Sequence, residues 1–178
     1  MVDQSPFSST SRTRQELLQS APASPLYLRE DEVRRGIELV HFGYMRLMRA
    51  ADARLKIEGL GRAHQRALYF IARSPDLTVT QLLQRLAITK QSLGRVLKDL
   101  DARGFTESRP GRNDRRQKML RLTKTGAAFE AELFDALRQK MSAAYQHAGQ
   151  EAVTGFWRVL EGLLPEADRA IIADITKG

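Results

Sequence analysis

The chain has 178 residues, no cysteine, 42% hydrophobic and 28% charged residues, and a formal net charge of +8. That length holds one domain with a core, or a small domain with helical extensions, and the composition is that of an ordinary soluble protein. The missing cysteine excludes disulfides, thiolate metal sites and thiol redox sensing, while a pI near 10.2 points to nucleic acid or another anionic partner.

Residues 1–25 are rich in Ser, Thr and Pro and lack apolar periodicity, which predicts a tail unable to bury enough surface to order itself. From Arg29 to Lys56 the residues Val33, Ile37, Val40, Tyr44, Leu47, Met48, Ala51 and Leu55 recur at steps of three and four, the period of one long amphipathic helix. Gly59 and Gly61 end it. A shorter helix through Leu68, Phe70 and Ile71 stops at Ser74-Pro75-Asp76, because proline disfavours helix in the residue before it.

Thr78 and Gln81 stand at capping-box spacing, which predicts a helix start there that buries Leu82, Leu83 and Leu86. Thr89 is the next N-cap, and Leu93, Val96, Leu97 and Leu100 form the apolar stripe of a second helix, stopped by Gly104. Phe105–Arg109 and Lys118–Leu122 read as strands joined by a polar, basic, turn-forming loop over 110–117. Two further helical patterns run from Thr125 to Tyr145 and from Gln150 through Val153, Trp157, Leu160 and Leu164 to Pro165. The fold class is therefore mainly α with a small β-hairpin: a winged helix-turn-helix over 59–125, between an N-terminal helix (26–58) and C-terminal helices (126–178). The terminal helices carry more apolar face than so small a head can cover. They are expected to form a homodimer interface, with Trp157 in its core.

Between Thr78 and Thr125 twelve basic residues face four acidic ones, so this segment holds the entire charge excess and the rest of the chain is neutral. Once the apolar stripe of the second helix faces inward, Thr89, Lys90, Gln91, Ser92, Arg95 and Lys98 lie on or beside its outer face, with Gly94 permitting close approach. Arginine can grip guanine O6 and N7, glutamine can pair with adenine, and serine and lysine can hold bases or phosphates. A solvated helix face is the ordinary reading of such residues taken alone, but the capped helix before them and the basic hairpin after them favour double-stranded DNA. On the hairpin, Arg109, Arg112, Arg115, Arg116 and Lys118 are cations suited to a narrow minor groove or to phosphates. Asp114 among them would repel phosphate, so its expected role is to orient Arg116.

These residues resemble the MarR family of winged-helix transcriptional regulators. The resemblance rests on Asp114-Arg115-Arg116, followed by Leu122-Thr123-Lys124-Thr125-Gly126, and on Ile88-Thr89-Lys90, Arg95, Leu97, Leu100, Gly104 and Arg109 ahead of it. It covers about 77–126 specifically; the flanking helices agree in order and length. It implies a dimer whose two heads read the halves of a palindromic operator, usually as a repressor released by a small, often phenolic, ligand. Such ligands sit where the first helices meet the head, which makes His41, Tyr44, His64 and Arg66 candidates. A histidine on an apolar stripe is, however, more often a satisfied interface residue.

No nucleophile with a base, paired carboxylates, phosphate loop or metal cluster is visible, so neither an enzyme nor a cofactor or metal is expected. Gly59-Leu60-Gly61 follows a helix and lacks a third glycine, unlike a dinucleotide fingerprint. No apolar run approaches the roughly 20 residues that span a bilayer, and the start lacks a secretory core, which suggests a cytoplasmic protein. A winged helix that binds proteins and a nonspecific nucleic-acid or membrane binder are the competing readings.

Overall fold

The structure is a computed structural model that describes residues 25–111 and 117–177. The expected tail, apart from Pro25, lies outside the described residues, as do Arg112, Asp114, Arg115 and Arg116 of the hairpin loop. The described chain divides into two units, one ending at Gly43 and the other beginning at Tyr44.

In the first unit a 3-10 turn over Leu26–Leu28 leads into helix α1 (Glu30–Met48), whose last residues belong to the second unit. Glu30, Asp31 and Glu32 fill its first turn, where carboxylates meet the positive end of the helix dipole. Nothing on α1 is buried: Val33, Ile37, Val40 and Phe42 are 43 to 65% exposed. An apolar face of this kind needs a covering surface to repay the ordering of its side chains.

The single helix expected up to Lys56 is interrupted. The backbone tightens into a 3-10 turn over Arg49–Ala51 and restarts as α2 (Asp52–Ile57). The period of three to four continues through the break, so the apolar spacing could not reveal it. Its tertiary reason is close packing: Ala51 is fully buried where the turn meets the long helix α6 (Lys124–Ala148).

The remaining elements are α3 (Arg62–Arg73), β1 (Leu77–Thr78), α4 (Val79–Leu86), α5 (Lys90–Ala102), β2 (Thr106–Pro110), β3 (Lys118–Leu122), α7 (Gln150–Gly162) and α8 (Glu166–Lys177). Threonine hydroxyls start three of the helices. Thr78 Oγ1 accepts from Gln81 N at 3.1 Å while Gln81 Oε1 accepts from Thr78 N at 2.9 Å, the reciprocal box that the spacing predicts. Thr89 Oγ1 accepts from Ser92 N and Thr123 Oγ1 from Gly126 N. The turn between α4 and α5 passes through Ala87 at φ 49, a left-handed conformation that β-carbon crowding makes costly, and that this short corner imposes.

The sheet has three strands in the order β1-β3-β2, all antiparallel, where the sequence shows only a hairpin. Two residues carry no period, so β1 is invisible to pattern reading. It joins because Asp76 and Leu77 follow a proline turn against β3, with Asp76 N donating to Leu120 O at 3.1 Å and the Arg121 guanidinium paired with the Asp76 carboxylate. Beneath this sheet Leu68, Ile71, Leu82, Leu86, Leu93, Leu100 and Leu133, from four helices, form one continuous core. Pro165 ends or kinks the pattern of α7 in the sequence, and the last helix, α8, begins just past it at Glu166. It ends on the head: Arg73 Nη2 donates to Ile175 O at 2.7 Å, and Arg85, nearly enclosed, bonds Ser74 Oγ at 2.6 Å and Asp174 at 3.1 Å.

The base of the hairpin is fixed to α6 by backbone approach. Thr123 N donates to Phe105 O and Thr123 Oγ1 to Gly104 O, and the Phe105 ring stacks on Phe129 at 4.7 Å. A β-carbon on Gly126 would lie 1.9 Å from Phe105 O, so no other residue fits there without moving backbone. Gly126→Ala is therefore expected to destabilise the fold by ~3 kcal/mol, the upper range of overpacking, read as a lowered denaturant midpoint. An unchanged midpoint would show that the hairpin base can shift freely.

Candidate nucleic-acid interface

Helix α5 separates its two faces cleanly. Leu93, Val96 and Leu100 are buried, and Lys90, Gln91, Ser92, Arg95 and Lys98 are exposed. The exposed residues form two rows along the helix, Lys90-Gly94-Lys98 and Gln91-Arg95, because positions four apart lie on one side. Lys90, Gln91, Arg95 and Lys98 make no hydrogen bond or ion pair among the described residues, so their donors are available to a partner. Thr89 and Ser92 are partly committed, since Thr89 Oγ1 also donates to Ser92 Oγ at 2.9 Å.

Lys90 occupies the first turn of α5, which contains no acidic residue. A cation there works against the helix dipole by a few tenths of a kcal/mol, and Lys124 repeats the arrangement at the start of α6. Local conflicts of this kind are expected where the surface serves something other than the fold. An incoming phosphate would resolve both. Gly94 carries the same message sterically: an added β-carbon would meet nothing within 4 Å, so the chain itself gives no reason for a glycine in mid-helix.

On the hairpin, β2 and β3 pair with Arg109 opposite Met119 and Pro110 opposite Lys118. Arg109 is exposed and held by Glu107 at 2.7 Å, and Lys118 is exposed and makes no ion pair among the described residues. Not all the charge counted in the sequence is uncommitted. Arg85 is bound to Ser74 and Asp174, Arg121 to Asp76, and Arg103 donates to Glu58 O and Asp99 O, both at 2.9 Å. These three guanidiniums join elements of the head. The uncommitted patch is accordingly narrower than the +8 of the segment suggests.

The ligand candidates separate. Tyr44 and Arg66 line a cavity of about 520 Å³ between the end of α1, α3 and α6. His64 does not: its Nδ1 accepts from Gly61 N at 3.1 Å and its Nε2 lies 3.2 Å from Asp99, so it caps α3 and ties it to α5. His41, in the N-terminal unit, is exposed with its ring edge against Phe42 at 5.2 Å. Sequence reading missed Gln65 and Glu130 on the cavity wall. Gln65 is only 6% exposed, and its Oε1 has no hydrogen-bond partner among the described residues. Burial pushes the Glu130 carboxyl above its ordinary value, with the Arg73 guanidinium opposing. Both positions did carry a signal, since each is a polar residue within the buried stripe of its helix, near Leu68 and Leu133 respectively. Trp157 is half exposed and donates to Tyr145 Oη at 3.0 Å.

Residues 58–117 match the sequence model of the MarR family. The curated HTH-type transcriptional regulator PetP of Rhodobacter capsulatus is 47% identical over 144 residues, covering 81% of this chain and 87% of the relative. Among solved structures, a MarR variant from E. coli complexed with operator DNA has 23% identity and a TM-score of 0.59, covering 80% of this chain and 100% of the other. NadR in complex with 4-hydroxyphenylacetate has 20% identity and a TM-score of 0.62, covering 80% of this chain and 97% of the other. Likeness at those identities establishes the fold.

If the gap at Gly94 admits a DNA backbone, Gly94→Ala separates binding from folding. The substitution is expected to leave or raise thermal stability, alanine being better than glycine in a helix by about 0.5–1 kcal/mol, while DNA affinity falls roughly tenfold, ~1.4 kcal/mol. Equal DNA affinity would mean that nothing approaches α5 at this point.

Proposed function

The chain belongs to the MarR family, and on that premise we propose that it is a sequence-specific transcriptional regulator that binds a palindromic operator as a homodimer. The observation that carries this reading is the outward face of α5, where Lys90, Gln91, Arg95 and Lys98 stand exposed with uncommitted donors over a buried apolar stripe. Arg95 and Gln91 supply base-reading chemistry, Lys90 and Lys98 grip phosphate, and Arg109, Lys118 and the arginines of loop 110–117 extend the contact along the groove. The relative PetP is named a transcriptional regulator, and one structural neighbour is bound to operator DNA, which supports the assignment.

The dimer follows from the uncovered apolar surface. Ile37 and Phe42 on α1, and Trp157, Val159 and Leu163 at α7 and just beyond it, are each half exposed or more. A second copy is the economical cover, and a two-fold pair of α5 helices matches the two halves of a palindrome. The cavity bounded by Tyr44, Gln65 and Arg66 is our candidate effector site, a role supported by the aromatic acid bound to NadR. Repression released by ligand is the simplest regulation for this arrangement. The reading assigns the chain no catalysed reaction, and it places the protein with the DNA it regulates, in the cytoplasm. Among the described residues no helix is long and apolar enough to cross a membrane, and no cluster of three or more metal-ligating side chains occurs.

Selection from a random duplex pool at physiological salt tests this for any operator sequence. The enriched sites are expected to be two-fold symmetric and bound at least about a thousandfold more tightly than random DNA. Arg95→Ala is expected to cost roughly 1 to 3 kcal/mol and to relax the preference at one position in each half-site. Binding without enrichment, lost as salt rises, would favour a nonspecific basic module, and no DNA binding at all would favour a protein-interaction winged helix. In sedimentation, Ile37→Asp is expected to shift the protein from dimer to monomer while the head stays folded; an unchanged dimer would place the interface elsewhere.

A further inference from the structure

We propose that the cavity between α3 and α6 selects a mainly apolar molecule carrying an amine, received by Gln65 and Glu130. The inference rests on the effector role proposed above and gives that effector its chemistry. The volume of about 520 Å³ suits a ligand of two aromatic rings, and the wall is largely Leu, Met, Phe and Tyr. Such a wall gives affinity by burial but leaves orientation to its few polar atoms.

Two of those polar groups lack partners. Gln65 Oε1 is buried without a hydrogen bond, a state that costs a folded protein roughly 1–3 kcal/mol until a donor reaches it. Glu130, half buried, makes no hydrogen bond or ion pair among the described residues, although Arg73 lies near enough to act on it electrostatically. The Arg73 guanidinium donates instead to Ile175 O. Among the other polar groups of the wall, Arg138 bonds Asp135 at 3.0 Å and the Tyr145 hydroxyl accepts from Trp157, while the Tyr44, Tyr69 and Ser142 hydroxyls make no hydrogen bond among the described residues and can accept from or donate to a ligand. What the wall lacks is therefore a cation paired with Glu130, and an ammonium group supplies one, with the unpaired oxygens of the wall able to accept its other protons. Arg66 is the counterweight. It also lines the cavity without an ion pair, so a carboxylate is the competing class.

The test is calorimetric titration of the intact protein with diphenylpropylamine, diphenylpropanol and diphenylpropanoate, which share one apolar body and differ in the head group. The amine is expected to bind at least tenfold more tightly than the carboxylate, with the alcohol between them. Glu130→Gln, which keeps the shape, is expected to erase the advantage of the amine over the alcohol; Gln65→Leu is expected to weaken both. Tightest binding by the carboxylate, or an order unchanged by Glu130→Gln, overturns the proposal. Operator binding measured on the same preparations keeps the two readings apart. If none of the three ligands binds while operator DNA does, the cavity proposal falls and the DNA-binding reading stands. If the amine binds in the expected order without changing operator affinity, the ligand chemistry is supported and the effector role falls.

Discussion

The contact between the hairpin base and the start of α6 is the constraint on which the head depends. Thr123 closes it from both sides, with its amide donating to Phe105 O and its hydroxyl to Gly104 O, and the same hydroxyl accepts from Gly126 N to begin the helix. Gly126 permits the approach because any β-carbon would collide with Phe105. The Phe105 and Phe129 rings stack beneath, and the Arg54 guanidinium lies 4.6 Å from the Phe129 ring centre while bonding Glu58 and Glu132. Turn, sheet and long helix therefore share a few atoms. A shift at one is felt at the others, since packed cores do not deform continuously.

From that junction the positions of the outward groups follow. The core leucines of α5 fix its rotation, and the rotation presents Lys90, Gln91, Arg95 and Lys98 to solvent. The basic residues divide by what they already bind. Arg85, Arg103 and Arg121 act as struts between elements, since a guanidinium can satisfy several carbonyl or carboxylate oxygens at once, whereas the outward lysines remain solvated and free to exchange counterions for phosphate. A charge tally cannot make this division, because it depends on which oxygens the fold brings within reach.

Helix α3 serves both regions of the second unit. His64 caps its start and reaches Asp99 on α5, while Gln65, the next residue, lines the cavity. Movement of α3 on filling the cavity would therefore reach the α5 helix through the His64 contact. Arg73 at the other end of α3 holds the last turn of α8 and acts electrostatically on Glu130. One short helix thus touches the candidate effector site, the candidate reading helix and the C-terminal segment.

The sequence by itself determined the order of the head's helices, the Thr78 and Thr89 caps, the inward stripe of α5 and the basic hairpin, because each is written in local periodicity or in a residue with one strong conformational preference. It also carried the motif Leu122-Thr123-Lys124-Thr125-Gly126, whose glycine is now explained by the Phe105 carbonyl. What it could not carry was anything set by partners distant in the chain. The 3-10 break at Arg49–Ala51, the two-residue strand β1, the docking of α8 on the head and the cavity side chains Gln65 and Glu130 all arise from contacts across 41 residues or more. Candidate ligand residues were accordingly the least legible: Tyr44 and Arg66 meet at the cavity, whereas His64 is committed to a helix cap. Only tertiary structure decided between these roles, since a polar side chain on a buried stripe is a cap, a strut or a binding group according to which atoms the rest of the chain sets beside it.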